Sequence, residues 1–377
     1  MDRTTDILII GGGVIGLTTA YRLAEQGAAV TVVDRGQVGQ EASWAGAGML
    51  PPGNPATAAT PEARLRAYSC SLWEQLTVAL RDRTGVDNGY RQCGAVEVAA
   101  SEDGFAEQIR QWQQEDLQVE RLHRKELEQH VGGLNEDIES GVFLPEFAQV
   151  RNPRHLKALV AACHCLGVEI IEHIDGVSLQ VDNEATVVVS TADRRFFAEQ
   201  ICITAGSWTR QLLNPLKVTV PVHPVRGQIV QLRLPCLPFR CVIEQERRYI
   251  VPRPDGLILV GATEEDTGFE KRTTADGIAE LLMSAKHLVP ELGHAEVVRS
   301  WAGLRPGSPD ELPFLGRVSE FDNLFIGAGH FRSGLQMSPG TGWLLADLML
   351  GREPQIAMDG LTLTRSATSP SPSPSQS

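Results

Sequence analysis

Apolar and polar positions along this chain follow two periods, and the changes of period mark its elements. Ile7 to Ile10 are continuously apolar, as in a parallel strand buried on both faces. The run leads directly into Gly11-Gly12-Gly13. Val14 to Gln26 then reads as a helix ended by Gly27, and Ala29 to Val33 as a second strand. Leu65, Tyr68, Leu72, Leu76 and Leu80 recur at helical spacing and predict a helix over about 61–83. Gly94 to Ala99 reads as a strand, and an amphipathic helix is expected near Ser101 to Gln114, capped by Ser101. Polar sequence without a clear period runs on to Pro145. A helix over His155 to Leu166 follows, then strands at 168–171 and 187–190, and an apolar strand that starts at Phe197 and ends in Thr204-Ala205-Gly206.

The pattern changes after Val220. Gly227 to Leu234 and Arg248 to Thr263 read as β-segments, the second broken at Pro254-Asp255-Gly256, a hairpin signal that implies an antiparallel sheet. Apolar residues from Ile278 to Leu288 predict a helix packed on that sheet and stopped before Pro290. A final apolar helix is expected near Gly340 to Leu350, starting in the Gly334 region. The Ser-Pro repeats of 364–377 have nothing to bury and are expected to be disordered. The fold class expected is α/β: a Rossmann-like domain (1–84, 146–213 and 296–364) interleaved with an antiparallel-sheet α+β substrate domain (85–145 and 214–295), followed by a tail at 365–377.

The first glycine turn brings in chemistry. Gly11, Gly13 and Gly16 fit G-x-G-x-x-G between a strand and a helix, so the helix N-terminus faces a pyrophosphate, with Val14 and Ile15 in its first turn. Asp34, followed by Arg35, closes the second strand and is placed to accept hydrogen bonds from ribose hydroxyls. Ala205 and Gly206 form a second strand-to-glycine turn, so two such turns can close on a dinucleotide. Between Gly39 and Gly48 small residues expose backbone that can lie against a flat ring or a phosphate.

With 377 residues the chain can bury two cores without disulfides, and its seven scattered cysteines contain no C-x-x-C pair, so a structural zinc is not expected. A formal charge of −13 excludes a basic nucleic-acid footprint. No apolar run approaches a membrane span and no leader precedes the first strand, so a cytoplasmic protein is expected. A homo-oligomer is left open.

Several motifs then converge. Gly11 to Gly16 with Asp34, Ser43-Trp-Ala-Gly-Ala-Gly-Met49, Arg248-Tyr-Ile-Val-Pro-Arg253 with Gly261-Ala-Thr263, Trp301 to Gly307 and Gly329 to Gly334 resemble the FAD-dependent D-amino-acid oxidase superfamily, above all the glycine oxidases of thiamine biosynthesis. The resemblance implies non-covalent FAD and no metal. It implies that Tyr249 and Arg305 hold a substrate carboxylate, with Arg332 beside flavin and substrate. It also implies that Ala42, Ser43, Ala47, Gly48 and Met49 line the flavin, that a strand near Gly176 and Val177 touches the adenosine, and that His330, Phe331, Arg332, Ser333, Gly334 and Leu335 follow the isoalloxazine edge. The implied reaction oxidises glycine or a small N-substituted glycine with oxygen as electron acceptor. Sarcosine or D-amino-acid oxidation, a dehydrogenase, and a flavin-binding subunit without turnover are the alternatives. The residue after Gly-Ala-Thr is Glu264, where glycine oxidases may carry an apolar one, which leaves the amine substituent open. Arg226 and Arg253 read as structural charges.

Overall fold

Two eight-stranded sheets, each with its own core, organise the chain. The computed structural model describes residues 3–98, 105–183, 186–191 and 195–365. In the first sheet Glu169–Ile171, Val30–Val33, Arg3–Ile10, Arg195–Ile203 and Leu324–Ala328 run parallel in that spatial order, and Phe314–Arg317 adds antiparallel at one edge. The continuous apolarity of the first strand is explained by its two buried faces. Ile7 and Ile9 pack with residues of the helices Val14–Glu25, Asn152–Cys165 and Ser338–Met349, whereas Leu8 and Ile10 pack with Leu179, Val187 and Val220 on the other side.

The second sheet runs in the order Glu296–Gly307, His223–Arg233, Leu257–Gly261, Arg248–Pro252, Val242–Gln245, Ala95–Val98, Ser140–Leu144, Glu120–His123. Every pair is antiparallel except Val242–Gln245 with Ala95–Val98. The helix Ala275–Leu288, capped by the Thr274 hydroxyl, packs Leu281, Ala285 and Leu288 into this sheet's core. A small sheet of Met49–Leu50, Ala148–Gln149 and Arg91–Gln92 joins the two units.

Five expectations are corrected. The strand Glu296–Gly307 belongs to the second sheet, not the first unit, because it pairs with His223–Arg233 over nearly its whole length. Conversely Leu216, Val218, Val220 and Val222 pack into the core of the first. The polar stretch before Pro145 hides the edge strand Glu120–His123, the helix Arg124–His130 and the strand Ser140–Leu144; only Leu122 is buried in the first of these, so no alternation shows. The last helix begins at Ser338 rather than near Gly334, with Pro339 in its first turn, where no N–H donor is needed. Arg365, assigned to the tail, is held by Asp310 and by the carbonyls of Leu312 and Pro313. Residues 366–377 and the expected cap Ser101 lie outside the described residues; the helix there is Ala106–Gln114. Among the described residues no helix is long and apolar enough to cross a membrane.

Candidate active site

Between the two sheets lies a cavity of about 950 Å³, and the residues singled out from the sequence line it with one exception. Gly11, Gly13, Val14 and Ile15 form its nucleotide end, whereas Gly16 sits beneath them. A Cβ on Gly16 would overlap Gly11 O and come within 2.6 Å of Thr204 Oγ1, so that glycine serves the close packing of helix on strand. Gly11 itself, at φ +110°, presses against Thr204 at the end of the neighbouring parallel strand. This brings the second glycine turn, Ala205 and Gly206, beside the first. Asp34 lines the same wall and accepts N–H bonds from Gly12 (2.7 Å) and Gly36 (2.8 Å). Burial pushes its carboxyl above the usual range while those two bonds pull it back. Arg35 stacks over Trp208 at 3.6 Å from the ring centroid. Gly176 and Val177 line the cavity from a loop before the strand Ser178–Asn183, not from within a strand.

The small-residue segment is a short helix, Ala42–Ala45, and a turn into Met49–Leu50. Ser43 Oγ accepts the Val14 N–H at 2.9 Å and so caps the nucleotide helix. Ala42, Ser43, Ala47, Gly48 and Met49 all face the cavity. Two side chains fasten the segment from outside. Asn152 donates to Ser43 O (2.7 Å), and buried Arg253 donates to Ala47 O (2.7 Å), Gln149 Oε1 and Val150 O. Arg253 is thus a structural charge, pulled down to about 10 by burial first and by neighbouring arginines. Arg226, paired with Glu265 and Glu270, is another.

The substrate side rests on two glycines within strands. Gly261 lies opposite Tyr249, and a Cβ on it would come within 2.6 Å of the tyrosine Cζ; Gly227 leaves the matching space under the Arg305 guanidinium. Tyr249 and Arg305 thereby stand side by side in the cavity wall. Arg305 also donates to Thr263 O at 3.0 Å, and no ion pair links it to a carboxylate among the described residues. Burial lowers its pKa and raises that of Tyr249. Glu264 acts on Arg305 only from beyond ion-pair distance, so a carboxylate bound directly to this partly desolvated guanidinium would offset the cost of its burial.

The turn 330–335 reaches the same place because Phe331 N–H donates to Pro306 O at 2.9 Å, next to Arg305. His330, Phe331, Arg332, Ser333, Gly334 and Leu335 line the cavity. His330 is neutral, pushed down to about 3 by burial, and bonds to Thr341 Oγ1 at 3.0 Å. Arg332 is already engaged: its guanidinium grips Glu264 at 2.7–3.0 Å and Glu311 at 3.0 Å. Glu264 also pairs with Arg247 at 2.9 Å. The free negative charge that the sequence suggests at Glu264 is therefore bracketed by two guanidinium groups. Sequence reasoning missed Asn152, Glu244 and Gly227, and quoted Gly261 within a motif without giving it a role. The two glycines had a signal, since glycine inside a strand marks close approach by another group.

A family model described as FAD dependent oxidoreductase matches residues 6–348. The chain belongs to that family. It is 36% identical over 359 residues to a glycine oxidase of Pseudomonas aeruginosa, covering 93% of this chain and 96% of that one. A bifunctional protein ThiO/ThiG of Nostoc sp. is 36% identical over 376 residues, spanning 98% of this chain and 56% of that protein. The crystal structure of glycine oxidase from Geobacillus kaustophilus superposes with a TM-score of 0.92 at 33% identity, covering 97% of this chain and 99% of the other.

The family is FAD-dependent, and the residues fit that group. A Cβ on Gly11 would overlap Thr204 and one on Gly48 would overlap Val150, so the close-set turns at both ends of the cavity require glycine, and Asn152 Oδ1 is buried without a partner in the cavity wall. No cysteine lines the cavity, so no thiol is placed to attach a flavin. Asp34→Ala is expected to weaken FAD binding by about 1–3 kcal/mol, the loss of a charged hydrogen bond. Titration of the apo-protein with FAD measures it, and an unchanged Kd would mean that Asp34 serves only the turn through Gly12 and Gly36.

Proposed function

We propose that this FAD-dependent amino-acid oxidase acts on glycine or small N-substituted glycines and serves the thiazole branch of thiamine biosynthesis. The observation that carries the reading is the half-buried pair of Arg305 and Tyr249, with no carboxylate of the described residues in ion-pair contact with the guanidinium, in the wall shared with the flavin segment. A planar guanidinium accepts a carboxylate through two parallel hydrogen bonds, and the tyrosine hydroxyl adds a third. When bound, FAD would supply the two-electron acceptor; the amino acid loses a hydride from Cα and a proton from nitrogen, water hydrolyses the imine to glyoxylate and ammonia or an amine, and oxygen takes up the two electrons and two protons as hydrogen peroxide.

What this chain contributes is position and exclusion. Arg305 and Tyr249 fix the carboxylate and thereby aim Cα–H. His330 stays neutral in its buried bond to Thr341 and packs rather than transferring protons. With Arg332 spanning Glu264 and Glu311, the carboxylate is held by Arg305 and Tyr249, while Arg332 ties the 330–335 turn to the substrate sheet. The relatives named glycine oxidase support the substrate and the ThiO/ThiG likeness supports the pathway. A peroxide assay over glycine, sarcosine, N-ethylglycine and several D-amino acids tests the reading. The highest kcat/KM is expected among the glycines, and a clear preference for larger D-amino acids would overturn it.

A further inference from the structure

Past the clamp, the cavity runs on to a carboxyl group that no cation of the described residues pairs with. Cross-strand register sets out one row on successive strands of the second sheet: Trp301, Ile229, Gly261, Tyr249, Glu244, Glu97. Tyr249 leans over Gly261 to reach Arg305, and so away from Glu244. Glu244 therefore lies on the other side of the tyrosine ring from the clamp. Its strand is two places beyond that of Gly261, roughly 10 Å away at the usual spacing between strands. The walls on this side are apolar: Trp112, Leu144 and Phe147 line the same cavity and pack in one cluster with Tyr249.

Glu244 is half-buried, faces the cavity, and has no hydrogen-bond or ion-pair partner among the described residues; Glu97, directly beside it and also half-buried, has none either. The cations lining the cavity nearby are taken elsewhere. Arg247 pairs with Glu264, Arg248 with Glu280, and Arg66 with Glu62 and Glu115. Burial, then repulsion from Glu97, holds the Glu244 carboxyl at about 8, and burial holds Glu97 at about 7. Two partly desolvated carboxyls side by side resist ionising together, and an inserted ammonium group would relieve both.

We propose that Glu244, with Glu97 behind it, forms a distal subsite for the cationic end of a substrate. The protein then takes, besides glycine, amino acids whose nitrogen or side chain carries a short aliphatic arm ending in an ammonium group. The arm lies along Trp112, Leu144 and Phe147 while the carboxylate stays with Arg305 and Tyr249. The inference rests on that placement of the carboxylate. It concerns binding, not the oxidation itself.

The test uses two ether acids that keep the carboxylate but place oxygen where the reacting nitrogen would be: propoxyacetate and (3-aminopropoxy)acetate. Binding to the FAD-loaded protein is read from the change in flavin absorbance. The aminated probe is expected to bind at least about tenfold more tightly, and Glu244→Gln to bring the ratio close to one. Glu97→Gln should reduce the ratio in part. Equal Kd values in the wild-type protein, or an undiminished ratio in Glu244→Gln, overturn the subsite, and the wild-type comparison needs no variant to fold. A tenfold preference found together with no oxidation of glycine or N-propylglycine leaves the subsite standing and sinks the proposed reaction.

Discussion

Arg305→Met is expected to lower kcat/KM for glycine by about thirty-fold to several thousand-fold, equivalent to roughly 2–5 kcal/mol for losing a bidentate contact to a desolvated carboxylate. The fold should survive. Methionine keeps much of the stem's packing, and removal of the charge ends the desolvation cost of a guanidinium that is in no ion pair among the described residues. FAD affinity and Tm are therefore expected near wild-type values. Arg305→Lys should recover only part of the loss, since a point charge lacks the fork that sets the substrate's orientation. The decisive comparison is with an amine that has no carboxylate, which should suffer far less from the same change. Near wild-type kcat/KM for glycine in Arg305→Met would make Arg305 a structural charge. Arg332 could not then simply take its place, because Glu264 and Glu311 already occupy most of its donors.

Gly48→Ala should abolish FAD retention. Gly48 sits at φ +74°, where an L side chain is strained, and its Cβ would overlap Val150 O and lie 2.6 Å from Asn152 Oδ1. Both neighbours are pinned: Val150 N–H donates to Gly48 O at 2.8 Å, and Asn152 holds Ser43 O. The turn cannot yield without releasing Ser43 from the Val14 N–H, which opens the nucleotide end as well. A loss of about 2–4 kcal/mol is expected from strain and overlap combined. Thermal melts of the apo-protein and FAD titration read the two effects. A variant that purifies yellow with an unchanged melt would show that the turn yields elsewhere.

The sequence by itself determined the parts whose signals are local. A continuous apolar run into Gly11-Gly12-Gly13, then a helix and Asp34, could hardly fold otherwise, because strand burial, positive φ and helix start act over a few residues. The Pro254-Asp255-Gly256 hairpin and the helix after Thr274 were legible for the same reason. Tyr249, Arg305 and the 330–335 turn were found through motifs, and they do line one cavity.

Only the tertiary structure decided what those residues meet. The strand Glu296–Gly307 joins the second sheet because its partner lies some seventy residues earlier in the chain, a pairing that no local period encodes. That pairing sets Arg305 over Gly227 and beside Tyr249. Neighbours likewise settle the charges. Glu264 is neutralised by Arg332 and Arg247, while Glu244, an ordinary acid in a β-segment, is left half-buried and unpaired among the described residues. Whether a carboxylate repels, binds or merely fastens depends on the cations within a few ångströms, and sequence separation carries almost no information about that distance.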